Sequence, residues 1–258
     1  MESIKDKLSL RGRRALVTGS AQGIGQAIAL ALAEFGADVM VHCRSGLERA
    51  NATRREIESL GVRSGVMAAD LADPAAASAL LTATREAIGM PDILVLNASV
   101  QIRKPWHEVT LEEYRQQADP NFAASLWLIQ KFAPAMREQH WGRILTVGSV
   151  QQYRPHPDMI VYSAMKAALV NLVRNLAPQL APGGITINNL APGVIATGRN
   201  EDALGDTAYR AKVLAKIPAG FAGQPWDCAG LALLLCSEAG RYITGADLPV
   251  DGGMSLPT

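Results

Sequence analysis

Short apolar runs alternate with segments of helical length along the whole chain. In the first such unit residues 15–17 are apolar, and Ile24, Ile28 and Leu32 then recur at the spacing of one helix face. This alternation predicts a parallel sheet whose strands are joined by crossover helices. Strands are predicted at residues 15–17, 39–41, 64–68, 93–97, 143–148, 186–190 and 248–250, and helices at 24–35, 47–60, 75–88, 112–137, from about 162, and at 227–235.

The predicted elements form one α/β unit. No linker, low-complexity tract or internal repeat interrupts the pattern, and 258 residues suit a single domain over 1–258. About seven strands and six helices predict a doubly wound parallel sheet with helices on both faces, in which the ligand cleft lies beyond the carboxyl ends of the strands. A mixed segment at about 193–216 is predicted to form a lid beside that cleft.

Composition and charge exclude several classes of function. The 25 lysines and arginines nearly cancel the 24 aspartates and glutamates, so the chain lacks the basic field that attracts nucleic acid or an anionic membrane. No apolar run has the length of a membrane span, and residues 1–14 lack an apolar signal core. Three cysteines without a CxxC pair favour free thiols, and no histidine cluster indicates a metal. We therefore expect a cytoplasmic protein with a small-molecule partner.

A glycine-rich loop directly follows the first predicted strand. Residues 18–25 read Thr-Gly-Ser-Ala-Gln-Gly-Ile-Gly, and glycines there let the backbone turn tightly and approach a pyrophosphate at a helix N-terminus. A glycine triplet alone is weak evidence, but its place between a strand and a helix is that of a Rossmann-type, dinucleotide-binding domain. The predicted cofactor contacts in the loop are Gly19, Ser20, Gln22, Gly23, Ile24 and Gly25.

The end of the second predicted strand indicates which dinucleotide is bound. An NAD site usually has a carboxylate there for the ribose hydroxyls, but this sequence has Arg44 and Ser45, and Asp38 lies at the wrong end of the strand. Arg44 and Ser45 can instead bind a 2′-phosphate through charge-assisted hydrogen bonds. We predict that NADP(H) is the preferred cofactor, with NAD(H) possible if Arg44 is only a solvated residue.

Tyr162 and Lys166 form a Tyr-x-x-x-Lys pair on one face of a predicted helix. An isolated tyrosine has a pKa of about 10 and is a poor base at neutral pH, so it needs a nearby ammonium to stabilise its anion. The pair alone is only suggestive. Ser149, at the end of a predicted strand, adds a hydroxyl that can hydrogen-bond the reacting oxygen.

Together these motifs resemble the classical short-chain dehydrogenase/reductase family over nearly the whole chain. Residues 96–99, Leu-Asn-Ala-Ser, resemble the family's Asn-Asn-Ala-Gly segment, and residues 250–253 resemble its C-terminal signature. Residues 70–71 resemble the family's adenine contact, and residues 189–193 with Thr197 resemble the segment beside the nicotinamide. The resemblance adds as cofactor contacts Asp70, Leu71, Asn97, Ala98, Ser99, Pro192, Gly193, Ile195 and Thr197.

The resemblance also implies the roles of a catalytic tetrad. Tyr162 would be the general acid/base that exchanges a proton with the substrate oxygen while hydride moves to or from the nicotinamide. Lys166 would assist Tyr162 and hold the nicotinamide ribose, so both residues also count as cofactor contacts. Ser149 would orient the substrate oxygen. Asn121 would hold a water that connects Lys166 to solvent, where Pro120 favours a kink in the long helix.

Four positions depart from the family pattern. Leu96 and Ser99 change the Asn-Asn-Ala-Gly segment, so we expect a different backbone arrangement beside the nicotinamide ribose. Phe221 stands where many relatives have arginine, and Pro178 is expected to interrupt its helix. Both positions bear on the oligomer, because the family implies a homotetramer formed through the helices at about 112–137 and 162–180 and the last strand.

Two polar segments, residues 100–106 and 151–157, are predicted to line the substrate pocket. Their hydrogen-bonding side chains suit a polyhydroxylated or anionic substrate better than a steroid or a long acyl chain. Residues 100–103 and 149–152 most resemble the family's sugar-acid dehydrogenases, the gluconate 5-dehydrogenase and 2-deoxygluconate 3-dehydrogenase group. We predict that Arg103 binds a substrate carboxylate. The full set of predicted substrate contacts is Arg103, Ser149, Gln151, Arg154 and Tyr162.

Two other functions fit the same pattern. A 3-oxoacyl-[acyl-carrier-protein] reductase shares the architecture, the NADP preference and the tetrad, and would use Arg103, Lys104 and Arg154 to dock an acidic carrier protein. A non-catalytic NADP-binding sensor is also compatible with the fold, since fold does not fix function, although the complete tetrad argues against it. The sequence leaves the exact substrate, the stereochemistry and the physiological direction open.

Overall fold

A seven-stranded parallel sheet is the centre of the fold. The computed structural model describes residues 3–200 and 205–256. The spatial order of the strands is 3-2-1-4-5-6-7, and every neighbouring pair is parallel. The predicted doubly wound α/β fold is thus confirmed. The strands are β1 Arg14–Val17, β2 Asp38–Cys43, β3 Ser64–Ala68, β4 Ile93–Leu96, β5 Gly142–Val147, β6 Ile185–Pro192 and β7 Asp247–Val250.

Helices connect the strands and cover both faces of the sheet. Two short helices, α1 and α8, were not predicted, because neither buries a residue and so neither shows a periodic apolar face in the sequence. In the described part of the chain the helices are α1 Ile4–Leu8, α2 Gly23–Glu34, α3 Leu47–Ser59, α4 Ala76–Ala87, α5 Leu111–Ala118, α6 Ala124–Glu138, α7 Ile160–Leu180, α8 Thr207–Leu214 and α9 Pro225–Cys236. None of the described helices is long and apolar enough to cross a membrane.

Alternate residues of each central strand enter two separate hydrophobic layers. In β1, Ala15 and Val17 pack with α2, α3 and α9, whereas Leu16 packs with α4, α6 and α7 on the other face. A strand that is buried on both faces reads as an unbroken apolar run, which is the pattern seen in the sequence. Because every neighbouring pair of strands is parallel, the carboxyl ends of all seven strands lie along one edge of the sheet.

The chain changes direction across the sheet between β1 and β4. From β1 it continues outward to β2 and β3, and from β4 it continues the other way to β5, β6 and β7. The loops after β1 and β4 therefore diverge, and a crevice forms between them at the carboxyl edge.

The helix that contains Pro178 continues through it. α7 runs from Ile160 to Leu180, and the prediction of an interruption was wrong. Proline removes a single helical hydrogen bond here, near the end of a 21-residue helix. Val173, Ala177 and Leu180 remain buried against the sheet on either side of it, and this packing holds the last turn in place.

Candidate active site

A cleft of about 460 Å³ opens at the carboxyl edge of the sheet. The loops that follow the strands β1 to β6 form its walls, and it lies at the switch point between β1 and β4. Three predicted site residues, Ser20, Asn121 and Arg154, do not line it. Those that do are Gly19, Gln22, Gly23, Ile24, Gly25, Arg44, Ser45, Asp70, Leu71, Asn97, Ala98, Ser99, Arg103, Ser149, Gln151, Tyr162, Lys166, Pro192, Gly193, Ile195 and Thr197.

The glycine-rich loop after β1 has the shape of a phosphate cradle. Gly19 and Gly23 have φ values of +64° and +62°, which favour glycine. A side chain at Gly25 would collide with the Asn97 amide and the Gly19 carbonyl. Asn97 holds the loop in place, because its Nδ2 donates hydrogen bonds to the carbonyl oxygens of Thr18 at 2.9 Å and Gly19 at 3.1 Å. The first turn of α2 has no side-chain cap, so its N–H groups fit a pyrophosphate.

Ser20 supports this loop from inside. Its hydroxyl donates to the carbonyl oxygen of Val17 at 2.7 Å and accepts from the backbone N–H of His42 at 3.2 Å. The side chain is fully buried. The structure therefore differs from the prediction that Ser20 is a cofactor contact, since both bonds of its hydroxyl are made within the protein.

His42 is a cleft residue that the sequence did not single out. Its Nδ1 accepts the backbone N–H of Gly19 at 3.1 Å, and its Nε2 donates to the carbonyl oxygen of Ala69 at 3.0 Å. Burial lowers the pKa of His42, which keeps the ring neutral with its proton on Nε2. The ring thus joins the ends of β1, β2 and β3. Its position at the end of a strand beside the glycine loop was the available signal.

The end of the cleft beside β2 is basic. Arg44, Ser45 and Arg49 line it. Asp38 begins β2 at the opposite edge of the sheet, where its carboxylate pairs with Arg63 at 2.7 Å. Asp70 also lines this end, and its Oδ1 accepts the N–H of Ala72 at 3.0 Å. Two guanidinium groups beside a hydroxyl fit the 2′-phosphate of NADP.

Ser149, Tyr162 and Lys166 meet at the other end of the cleft. The Ser149 Oγ accepts the N–H of Gln151 at 3.2 Å, so this bond does not use the hydroxyl hydrogen. The Lys166 Nζ lies 5.5 Å from the centroid of the Tyr162 ring and donates to the carbonyl oxygen of Val147 at 2.8 Å. Burial, assisted by the nearby positive charge of Arg199, lowers the pKa of Lys166 to about 7.

Asn121 lies in a π-helical turn, Asp119–Ala123, between α5 and α6. The distortion expected at Pro120 is this turn, which replaces a continuous α-helix over 112–137. The Asn121 Nδ2 donates to the carbonyl oxygens of Val100 at 2.6 Å and Gln117 at 2.7 Å. Its Oδ1 is buried and has no hydrogen-bond partner in the described residues.

A hydrogen-bond network supports the turn that carries Ser149. The Gln152 Oε1 accepts the N–H of Ser149 at 3.2 Å, and its Nε2 donates to the Asp247 carboxylate at 2.8 Å. Asn189 donates to the same Asp247 oxygen at 2.7 Å. A side chain at Gly148 would collide with the Gln152 amide oxygen. Residues of β6 and β7 therefore fix the backbone next to Ser149 through Gln152.

The predicted substrate contacts divide into two groups. Arg103 is exposed and lines the cleft, as does Gln151, whose Oε1 accepts the N–H of His156 at 2.7 Å. Arg154 lies outside the cleft, because its guanidinium donates to the carbonyl oxygens of Met254 at 3.0 Å and Leu256 at 3.5 Å. The structure thus differs from the prediction for Arg154.

Comparison with known proteins identifies the family. A family model described as enoyl-(acyl carrier protein) reductase matches residues 19–255. The chain is 33% identical to gluconate 5-dehydrogenase of Gluconobacter oxydans over 251 residues, 97% of this chain and 98% of that protein. It is 36% identical to a 3-oxoacyl-[acyl-carrier-protein] reductase of Staphylococcus aureus over 244 residues, 95% of this chain and 98% of that protein. A gluconate 5-dehydrogenase structure from Burkholderia cenocepacia, in complex with NADP and tartrate, has a TM-score of 0.93 and 32% identity, with 99% and 100% of the two chains covered.

The chain belongs to the short-chain dehydrogenase/reductase family. It is an oxidoreductase that acts on CH–OH groups with a nicotinamide dinucleotide. The predictions of family, fold and reaction class are confirmed.

Proposed function

We propose that the protein is an NADP(H)-preferring dehydrogenase that interconverts a secondary alcohol and a carbonyl group in a sugar acid or polyol. The observation that carries the proposal is Arg103, an exposed guanidinium in the same cleft as Ser149 and Tyr162 that forms no ion pair with a described residue. A guanidinium so placed can bind a carboxylate bidentately. The relatives named above include enzymes whose substrate is gluconate, a sugar acid.

The proposed chemistry is a proton transfer coupled to a hydride transfer. The Ser149 hydroxyl donates to the substrate oxygen and orients it. Tyr162 takes the alcohol proton as the carbonyl forms, and returns it in the reverse direction. A bound nicotinamide dinucleotide would supply the acceptor for the hydride that leaves the carbinol carbon, and the donor in the reverse direction. The nearby Lys166 ammonium, when protonated, stabilises the tyrosinate.

Asn121 completes the proposed proton path. Its buried Oδ1 without a protein partner can accept from a water molecule, and such a water would connect Lys166 with solvent. Asn121 follows the cleft residue Pro120 in the π-helical turn.

The proposal extends to the rest of the molecule. Arg44, Ser45 and Arg49 support the preference for NADP(H) over NAD(H). We take residues 1–258 as one domain in which 193–216 act as a lid, although 201–204 of that segment lie outside the described residues. The three cysteines are free and buried, which suits the cytoplasm. Apolar side chains exposed on α5 and α6 support a homotetramer, as argued below.

A 3-oxoacyl carrier-protein reductase is the competing function, because several relatives carry that name. It would need basic residues beside the cleft to dock an acidic carrier protein. Two of the three candidates make bonds within the chain: Lys104 pairs with Glu113 at 2.8 Å, and Arg154 binds the carbonyl oxygens of Met254 and Leu256. This arrangement favours the sugar-acid substrate.

The test follows nicotinamide absorbance with NADP and NAD against a panel of aldonates and polyols, and with NADPH against a 3-oxoacyl thioester. We expect aldonate oxidation that is lost in Tyr162→Phe, and a KM for the aldonate that rises at least about tenfold in Arg103→Ala. Thioester reduction without aldonate oxidation would assign the protein to acyl-chain chemistry. Tight NADPH binding without any turnover would support the sensor function instead.

A further inference from the structure

Arg199 lines the same cleft as Arg103, on the wall that follows β6. It lies in the short 3₁₀ turn Gly198–Asn200 after β6 and lines the same cleft as Tyr162. Its Nη2 donates a hydrogen bond of 2.9 Å to the carbonyl oxygen of Ser99, in the loop after β4. Arg199 therefore reaches from one wall of the cleft to the other. The loop that it contacts is the one that carries Arg103, four residues after Ser99.

Arg199 shares the cleft with other basic side chains and with few carboxylates. Lys166, Arg103 and Arg199 all line it. Among the described lining residues the one carboxylate is Asp70, which lies beyond β3 at the adenosine end. Burial lowers the pKa of Lys166, and repulsion from the positive charge of Arg199 lowers it further. This coupling places Arg199 near the reacting groups.

The hydrogen bonding of Arg199 leaves most of its donors available. A guanidinium has five N–H donors, and the bond to Ser99 uses one of them on a neutral oxygen. Within residues 3–200 and 205–256, neither Arg199 nor Arg103 pairs with a carboxylate. Two such groups in one cleft can each bind one carboxylate of a substrate bidentately. A substrate with a single carboxylate would leave one guanidinium without an anion.

We propose that Arg199 binds a second carboxylate, so that the preferred substrates are sugar acids with a carboxylate at each end of the carbon chain. Arg103 would hold one carboxylate and Arg199 the other, with the reacting carbon between them beside Ser149 and Tyr162. This inference rests on the proposed function, because it takes Arg103 as the site of the first carboxylate.

The test compares glucarate with gluconate, which share six carbons and their secondary hydroxyls and differ in one terminal group, a carboxylate or a primary alcohol. Binding of each to the complex of the enzyme with NADPH is measured by calorimetry at fixed ionic strength, so that no turnover is needed. We expect glucarate to bind at least about tenfold more tightly than gluconate to the wild-type protein. In Arg199→Gln this ratio should fall to about one, while the affinities for gluconate and NADPH stay within about twofold.

Arg210→Gln is the matched control, because Arg210 is exposed on α8 and does not line the cleft. It removes the same charge and should keep the wild-type ratio.

A wild-type protein without a preference for glucarate would overturn the inference. So would a loss of NADPH affinity in Arg199→Gln, which would assign the arginine to the cofactor phosphates. If gluconate is oxidised and glucarate has no advantage, the inference alone fails. If neither acid binds or reacts, the proposed function fails as well.

Discussion

Lys166 shows how a single residue can be costly for the fold and necessary for the proposed chemistry. Its side chain is 2% exposed, and burial lowers its pKa to about 7. Below that pH the folded protein holds a buried ammonium that the unfolded chain would expose to water. As pH rises above 7 the folded lysine loses its proton, whereas the unfolded lysine keeps it up to a pKa near 10.5. The free-energy cost of burying the Lys166 ammonium is therefore at its maximum below pH 7, and it shrinks as the pH rises.

The variant Lys166→Met should be more stable than the wild-type protein at acidic pH. We expect the melting temperature without cofactor to rise by about 3 °C or more at pH 6.5, because the buried charge is removed, and this gain to shrink toward pH 9.5. Differential scanning fluorimetry across this range measures the difference. Lys131→Met, an exposed substitution on α6, should show no such trend. A rise in melting temperature that is independent of pH, or a fall in melting temperature, would contradict the low pKa of Lys166.

Arg44 is expected to determine the choice between the two dinucleotides. In Arg44→Asp the guanidinium is replaced by a carboxylate that repels the 2′-phosphate and can bind ribose hydroxyls. We expect the ratio of kcat/KM for NADP to that for NAD to fall at least about 100-fold, and this is measured with a substrate that both cofactors support. Arg55→Asp, on the exposed face of α3, makes the same charge change away from the cleft and should leave the ratio within about twofold. An unchanged ratio in Arg44→Asp would mean that Arg44 is only a solvated residue.

At the scale of the elements, the turn after β5 depends on two strands that follow it in the sequence. Gln152 joins the backbone of Ser149 to Asp247 at the start of β7, and Asn189 in β6 holds the same carboxylate. In addition, Thr146 donates to the Asn189 side chain at 2.6 Å. The position of the proposed substrate-orienting hydroxyl is thus set by the packing of β5, β6 and β7 as a unit.

Gln152→Met should slow the reaction without weakening cofactor binding. The methionine fills a similar volume but removes the hydrogen bonds of the Gln152 side chain to Ser149, Asp247 and Asn189, so the Ser149 turn loses its support. We expect kcat to fall about tenfold while the NADPH Kd stays within about twofold. Gln130→Met, exposed on α6, is the matched control. If kcat is unchanged, or if the NADPH affinity falls with it, Gln152 does not act through Ser149.

The sequence predicted the catalytic and cofactor-binding residues better than the residues that hold them in position. The glycine loop and the Ser-Tyr-Lys set could be placed because each follows a strand or recurs within one helix, so local spacing locates it. Local spacing could not reveal the supporting roles of His42 and Asp247, nor the hydrogen bonds of Arg154 to the C-terminal residues. Their contacts depend on the register of neighbouring strands and on pairs up to 102 residues apart in the chain. The continuity of α7 through Pro178 was likewise decided by packing against the sheet.

At the scale of the whole molecule, α5 and α6 present apolar side chains to solvent. Leu111, Tyr114 and Trp127 are exposed. By contrast, Leu128, Ile129, Leu169, Val170 and Val173 of α6 and α7 are buried within the chain. Large apolar side chains exposed on two consecutive helices are typical of an interface, and they support the proposed homotetramer.

Trp127→Glu should break the proposed homotetramer. The carboxylate would be placed in an apolar interface without a partner, and desolvation would oppose association. Size-exclusion chromatography with light scattering should give four times the 27.4 kDa chain mass for the wild-type protein and a smaller species for the variant. Leu60→Glu, which is exposed at the end of α3, should retain the wild-type mass. A wild-type monomer would contradict the proposal directly.

The bonds from Arg154 to the carbonyl oxygens of Met254 and Leu256 have a practical consequence for the design of expression vectors. They hold the last described residues beside the segment 151–157, and Asp251 adds bonds to the N–H groups of Gly253 and Ser255. An affinity tag fused to the carboxyl end would therefore extend the chain from residues that are held beside the segment 151–157, which is predicted to line the substrate pocket. The helix α1 begins against the turn Glu238–Gly240, at the opposite edge of the sheet from the cleft. A tag at the amino end is therefore the better choice for a kinetic assay.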